Sequence, residues 1–291
     1  MKLAALSIDG KETIALTHDN HFVSIETINE MEGTCFEEDF VSLLREEQFS
    51  ELCTWHKTEG KQKLSAFPSI KEEAIEIALC KNPSTVLGVG MNYVEKAIEL
   101  SGNLPEEEPV MFTKPSSTLV GPNQSILLPV QSKEVTAEGE LAIVIGKQCK
   151  NVKQEDAKEF IAGFTTALDV TAKDIHGKNP RYLQRSKSFD TFCSIGSSLV
   201  TLDEFSSLRE IKVETVLNGE VRYSNTVSNM MYEPLWLLEF FSSIMTLNPG
   251  DIILTGTPGS VLINEKDVVE CRVTELAPLK NDVRAGLLLA K

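Results

Sequence analysis

The chain of 291 residues has room for one large domain, or a main domain with a small companion, and its 42% hydrophobic and 24% charged residues suit a globular protein with an ample core. Its net charge of −15 argues against nucleic acid or an anionic membrane surface as partner, and any anionic substrate would need a local cationic pocket. Six scattered cysteines, none in a C-x-x-C pair, exclude a zinc ribbon or a thioredoxin-like centre.

Met1-Lys2-Leu3 runs directly into strand-like alternation, without a long apolar leader, and no window approaches the roughly 18 apolar residues of a membrane span. The expectation is a soluble, cytoplasmic protein with small buried thiols. Residues 2–8, 12–17 and 21–26 have the pattern of three strands, with Asp9-Gly10 and His18-Asp19-Asn20-His21 as turns. Helical spacing of Phe40, Leu43, Leu44 and Leu52 predicts a helix over 37–56, followed by a charged loop at 57–61 and a short helix at about 70–80. These elements make a small N-terminal α+β domain, 1–80.

From Ser84 the apolar runs become short, rich in Val, Ile and Leu, and bounded by Gly, Pro and Asn. They predict strands at 85–89, 110–113, 125–128, 138–146, 164–169, 195–200, 211–217, 220–223, 251–255 and 267–273, with Asn218-Gly219 as a hairpin turn. Helices are expected at about 154–161 and 233–245. The fold class is α+β, mostly β, with a larger domain over 81–291.

The stretch richest in chemistry is Glu138-Gly139-Glu140, which opens the apolar run Leu141-Ala142-Ile143-Val144-Ile145. On a strand, Glu138 and Glu140 share a face with Ala142 and Val144, and the other face is apolar too. A strand buried on both sides that carries two inward carboxylates calls for a cation. A wet edge strand is the alternative. Asp169 closes the strand-like Phe164–Leu168, and three carboxylates converging from strand ends suit Mg2+ or Mn2+ with positions left for water and substrate. Asp174 is a weaker fourth and reads more simply as a turn residue.

Gly88-Val89-Gly90-Met91-Asn92-Tyr93 lacks the third glycine and the βαβ frame of a dinucleotide site. It reads as a strand ending in a tight turn, after which Lys96 and Glu99 could face each other on a short helix, or form a surface ion pair. Lys114, Lys173 and Lys187 stand beside apolar loop residues and are candidates to neutralise an anionic substrate, against the plainer reading of surface lysines. Leu254-Thr255-Gly256-Thr257-Pro258-Gly259 follows a strand, and its backbone N–H groups and hydroxyls could hold a carboxylate; it is not a Walker loop. No G-x-S-x-G elbow is present, and of the four histidines only His176 falls outside the N-terminal domain, in an expected loop.

In order, Gly88–Tyr93, Phe112–Pro115 with Leu119–Pro122, Glu138–Lys147, Ala162–Asp174, Lys187–Phe192 with Ile195-Gly196, Asn218-Gly219-Glu220 and Leu247–Pro258 closely resemble the fumarylacetoacetate hydrolase family. The resemblance covers nearly all of 84–291. It implies a mixed β-roll catalytic domain, usually a homodimer, that binds Mg2+ or Mn2+ through Glu138, Glu140 and Asp169. It further implies that Lys187 binds substrate oxygens beside the metal and Thr257 holds the substrate carboxylate, with Asn92, Tyr93, Lys114, Lys173, His176 and Gly256 also on the substrate side. Substrates would be small 2-oxo acids, and the shared logic a metal-stabilised enolate.

The chain departs from the family pattern in three places. Members that hydrolyse C–C bonds carry a histidine where this chain has Lys96, with Glu99 kept. An ordinary lysine is protonated at neutral pH and is no base. The usual Asn-Asp-x-x-x-Arg-Asp-x-Gln becomes Leu168-Asp169-Val170-Thr171-Ala172-Lys173-Asp174-Ile175-His176, and the segment after Pro258 is shortened. Decarboxylation or isomerisation of a 2-oxo acid therefore fits better than hydrolysis. C–C hydrolysis with Lys96 or a metal-bound water as base is the alternative, and a weakened metal- and ligand-binding protein is a reading of another class.

Overall fold

The computed structural model describes residues 1–286 except 20, 71–72, 96–97 and 99–107. Lys96 and Glu99 thus lie outside the described residues. The N-terminal strands are β1 (Lys2–Ile8), β2 (Lys11–His18), β3 (His21–Ser24) and β4 (Ile75–Glu76). Then come β5 (Val86–Gly90), β6 (Val110–Lys114), β7 (Leu119–Val120), β8 (Ile126–Leu128), β9 (Val135–Ile145) and β10 (Ile161–Ala172). The remainder are β11 (Cys193–Ile195), β12 (Ser198–Val200), β13 (Lys212–Leu217), β14 (Glu220–Thr226), β15 (Ile252–Leu254), β16 (Ser260–Ile263), β17 (Val268–Val273) and β18 (Leu279–Ala285).

Among the described residues the strands form two sheets. The larger runs β3-β2-β1-β12-β10-β9-β15-β5-β6, with β4, β7, β11 and β16 attached off that path. The smaller runs β14-β13-β17-β18-β8. β1 pairs with β12, so the N-terminal strands continue the sheet that holds β9 and β10. The fold is mostly sheet, as the sequence pattern implies.

β9 and β10 form the centre. Their Val, Ile, Thr and Ala content suits a pleated surface covered on both sides, and every residue but Glu138 is buried. Alternate residues feed two apolar clusters. Ala137, Leu141, Ile143 and Ile145 pack with Val213, Val269 and Leu279 of the smaller sheet. Ala142 and Val144 pack on the other side with Phe112, Ile195 and Leu254. Gly139 lets the sheets close up: a Cβ there would stand 2.8 Å from the Glu214 carbonyl oxygen, and its N–H donates to Thr215 Oγ1 at 2.9 Å.

Several local expectations change. The strand expected to reach residue 26 stops at Ser24, whose hydroxyl caps the helix Ile25–Glu32 by accepting the Thr27 N–H. The 37–56 helix is two, Phe40–Arg45 and Gln48–Trp55, split where Glu47 takes a left-handed φ of 59°. The charged 57–61 stretch is helical, because Lys57 and Glu59 are merely its wet face while Gly60 packs under Trp55. In place of a helix at 70–80, Ile75–Glu76 bridges to β1; Lys71 and Glu72 lie outside the described residues. Only a single turn, Ala157–Glu159, forms where a helix was expected at 154–161, since Ile161 already belongs to β10. The 195–200 strand is interrupted at Gly196-Ser197 to give β11 and β12. The helix Pro234–Ile244 matches its expected span to within a residue.

Candidate metal centre and active site

β9 and β10 are antiparallel, and their register sets Asp169 directly opposite Glu138, with Ala167 opposite Glu140. Strand parity puts the three acidic side chains on one face. One oxygen from each lies within 4.8 Å of the others. The Glu138 side chain is 18% exposed, whereas Glu140 and Asp169 are sealed from solvent.

Two lysines converge on the same face. Lys187 Nζ donates to Asp169 Oδ2 and, at 2.8 Å, to Thr171 Oγ1; it stands 3.7 Å from Glu138 Oε2 and 4.3 Å from the centre of the Phe112 ring. Lys114 Nζ approaches Asp169 Oδ1 at 2.5 Å but aims its hydrogens at the carbonyls of Val170, Lys187 and Phe192, at 2.9, 3.1 and 2.7 Å. Asp169 Oδ1 therefore has a charge beside it without a well-aligned hydrogen bond, so acceptor capacity remains inside the cluster.

The charges shift one another. Burial and the neighbouring Asp169 and Glu138 charges push the Glu140 carboxyl well above its usual range, against the pull of Lys187 and of the Gly256 N–H, 2.6 Å from Glu140 Oε2. For Asp169, burial acts upward, but the two lysines outweigh it and hold the carboxyl below its ordinary value. Burial acts downward on both lysines. It prevails at Lys114, and the facing carboxylates prevail at Lys187, whose pKa is raised. An all-oxygen donor set with like charges crowded in a buried place suits a hard dication such as Mg2+ or Mn2+, which would relieve that repulsion.

The other candidate residues are distributed as follows. Asn92 is buried, and its side chain ties two loops together: Nδ2 donates to the Tyr232 and Thr255 carbonyls at 2.9 and 2.7 Å, and Oδ1 accepts the Tyr232 N–H at 2.8 Å. Tyr93 is buried in the core, its hydroxyl has no hydrogen-bond partner among the described residues, and burial raises its pKa. Gly256, at φ 94°, is held against Asn92, so a Cβ would stand 2.8 Å from the Asn92 Cβ; its N–H serves Glu140. Thr257 Oγ1 donates to the Gly259 carbonyl at 2.9 Å, which folds the loop on itself. Lys114 is turned wholly inward rather than toward a substrate-facing rim.

His176 and Lys173 stand on the helix Lys173–Lys178, where a loop was expected. Lys173 is exposed and His176 half-buried. Burial and the Lys187 charge lower the His176 pKa. Asp174, which reads from sequence as a turn residue, stands instead in the first turn of this helix and is half-buried. It accepts Ser132 Oγ at 2.5 Å and the Lys133 N–H at 3.2 Å, fastening the turn before β9. Two members of the site escaped the sequence reading. Thr171 follows Asp169 by two, so strand parity could have placed it on the lysine face. Cys193 pairs in register with Asp169; burial pushes its thiol up to about 12, so it is an inert neighbour.

Comparisons with known proteins identify the family. Residues 85–284 match the model of the fumarylacetoacetate (FAA) hydrolase C-terminal family. The mitochondrial oxaloacetate tautomerase of Xenopus laevis is 39% identical over 216 residues, which cover 71% of this chain and 67% of the relative. Among solved structures, 5-carboxymethyl-2-hydroxymuconate delta-isomerase from Mycobacterium smegmatis superposes with a TM-score of 0.76 at 30% identity, covering 99% of this chain and 100% of that one. Maleylpyruvate hydrolase from Sphingobium sp. SYK-6, solved with manganese(II) and pyruvate, gives 0.79 at 25% identity with the same coverage. The chain belongs to the fumarylacetoacetate hydrolase family and is one of its enzymes.

Proposed function

We propose that this enzyme interconverts the keto and enol forms of a small 2-oxo dicarboxylic acid of the oxaloacetate type, with Glu138, Glu140 and Asp169 holding one Mg2+ or Mn2+. The observation that carries this reading is the placement of Lys187 on the face that bears the carboxylate trio. When bound, the metal supplies positive charge that polarises the 2-oxo acid and favours loss of its C3 proton. Lys187, oriented by Asp169 and Thr171, presents its ammonium where negative charge grows on the 2-oxo oxygen. His176, kept neutral by burial and the Lys187 charge, is suited to accept the C3 proton and return one to the oxygen. The C3–H bond breaks, its electrons form the C2–C3 double bond, and the carbonyl electrons go to oxygen. No water is consumed, in keeping with Lys96 where hydrolytic members carry histidine. The similarity to oxaloacetate tautomerases supports the same reading.

The test is decay of the oxaloacetate enol absorbance with Mg2+ or Mn2+, with Glu138→Ala as control. Metal-dependent acceleration that Glu138→Ala abolishes is expected, with no loss of CO2. Pyruvate release would reassign the enzyme as a decarboxylase, and cleavage of an acylpyruvate in place of tautomerisation would reassign it as a hydrolase. We place the protein in the cytoplasm as a homodimer. Six free thiols support a reducing compartment, and no described helix is long and apolar enough to cross a membrane. Sedimentation of the purified chain tests the dimer.

A further inference from the structure

We propose that Lys114 is a positioning residue that holds Asp169 and the Lys187 loop in one arrangement and thereby sets the metal affinity of the site, an inference that rests on the metal reading above. The alternation of β6 turns Phe112 and Lys114 inward and Thr113 outward. In the sheet order, β6 is separated from β10 by β5, β15 and β9, yet the Lys114 ammonium reaches the Val170 carbonyl of β10. The sheet must curl for this contact to exist, and Lys114 ties the two ends of the curl together.

What it ties is specific. One neighbour is Asp169 Oδ1, one is the carbonyl that follows Asp169 in β10, and the other two are the carbonyls of Lys187 and Phe192 at either end of the loop that carries Lys187. A fully buried ammonium with its hydrogens so engaged is not available to a substrate. Removing it would leave Asp169 short of a counter-charge and take a donor from three carbonyls, of which that of Phe192 keeps the Val170 N–H at 3.0 Å. The formal charges point the same way. Three carboxylates against two lysines leave one negative charge, and a dication turns this into one positive charge, favourable to an anionic 2-oxo acid.

The experiment measures Mn2+ affinity by titration calorimetry, and the resonance spectrum of bound Mn2+, in the wild-type chain and in Lys114→Met. Outer partners of metal ligands typically change affinity ~10–100-fold, and a loss of that size with an altered Mn2+ spectrum is expected. Leu43→Ala, a core truncation in the helix Phe40–Arg45, controls for lost stability and should bind Mn2+ as the wild type does. If Lys114→Met does not fold, Lys114→Arg carries the test, since it keeps the charge but its planar fork cannot serve the same three carbonyls. Unchanged affinity and spectrum in a folded variant would overturn the proposal, as would an equal loss in Leu43→Ala. Wild-type protein that binds no Mn2+ would sink the metal reading along with it. If instead the wild type binds and Glu140→Ala does not, an unaffected Lys114→Met discards the Lys114 role alone.

Discussion

Glu140 and Asp169 stand on strands of eleven and twelve residues buried on both faces, whereas His176 and Lys173 stand on a six-residue helix whose N-cap, Ala172, offers no side-chain oxygen. On the reading proposed above, the first region would be the floor of the site and the second its rim. Floor geometry follows from strand parity and a ladder continuous from Gly163 to Ala172, so nothing in it can move alone. A helix this short has little stability of its own and rests on its neighbours. The difference teaches where variation is tolerable: the metal face is common to the sheet's construction, and the rim is where substrate preference can diverge.

The largest effect belongs to the floor. Glu140→Gln keeps the side-chain volume but removes a charge; calorimetry should show Mn2+ affinity falling more than ~100-fold, beyond the range of outer partners, with turnover at the metal-free level. Retained affinity would break the distinction between floor and rim. Next, Lys187→Met should lower kcat by ~10²–10³ while Mn2+ still binds, the usual size for losing one group that stabilises developing charge. Gly139→Ala comes third. Its Cβ must displace the Glu214 carbonyl and Thr215 hydroxyl, so urea unfolding should show a loss of ~1–3 kcal/mol.

The rim gives smaller effects. Asp174→Ala forfeits the Ser132 and Lys133 hydrogen bonds and should cost ~1 kcal/mol, shifting KM without changing Mn2+ affinity. Last is the titration of His176, followed by NMR. Its folded pKa lies below the ordinary value of 6.5, because burial first and Lys187 second oppose the charged ring. The stability it contributes is therefore complete above pH 6.5 and is lost as pH falls through the folded value. In Lys187→Met one of those causes is gone, and the titration should move upward; a titration that stays put would separate His176 from the floor.

The legible parts of the site were those governed by a two-residue period. Glu138, Glu140 and Asp169 share a face because parity requires it, and the run from Leu141 to Ile145 announced burial on both sides. The extents of β9 and β10 were underread, since Val135, Thr136 and Ala137 do not look like an apolar run and are buried by the strands beside them. β18 escaped for a related reason. In Leu279–Ala285 the buried position between Leu279 and Val283 is Asn281, whose Nδ2 donates there to the Gly121 and Gln124 carbonyls. The inward turn of Lys114 could not be foreseen, because its partners are carbonyls from β10 and a distant loop, and only the curled sheet brings them to it. The helix Lys173–Lys178 contains Gly177 and lacks an N-terminal cap, so local propensity argued against it.

Because both faces of β9 and β10 are apolar, hydrophobic patterning does little to choose how these two strands align; a slip of one residue would still bury aliphatic side chains on each side. The acidic residues, their lysines and the sheet contact at Gly139 choose it instead. The central hairpin should therefore accept many exchanges among Leu, Ile and Val over evolutionary time, yet reject a single inserted or deleted residue between Glu138 and Asp169 that falls within either strand. Such a change would turn the ligands to opposite sides of the sheet while leaving the amino-acid composition of the core almost untouched.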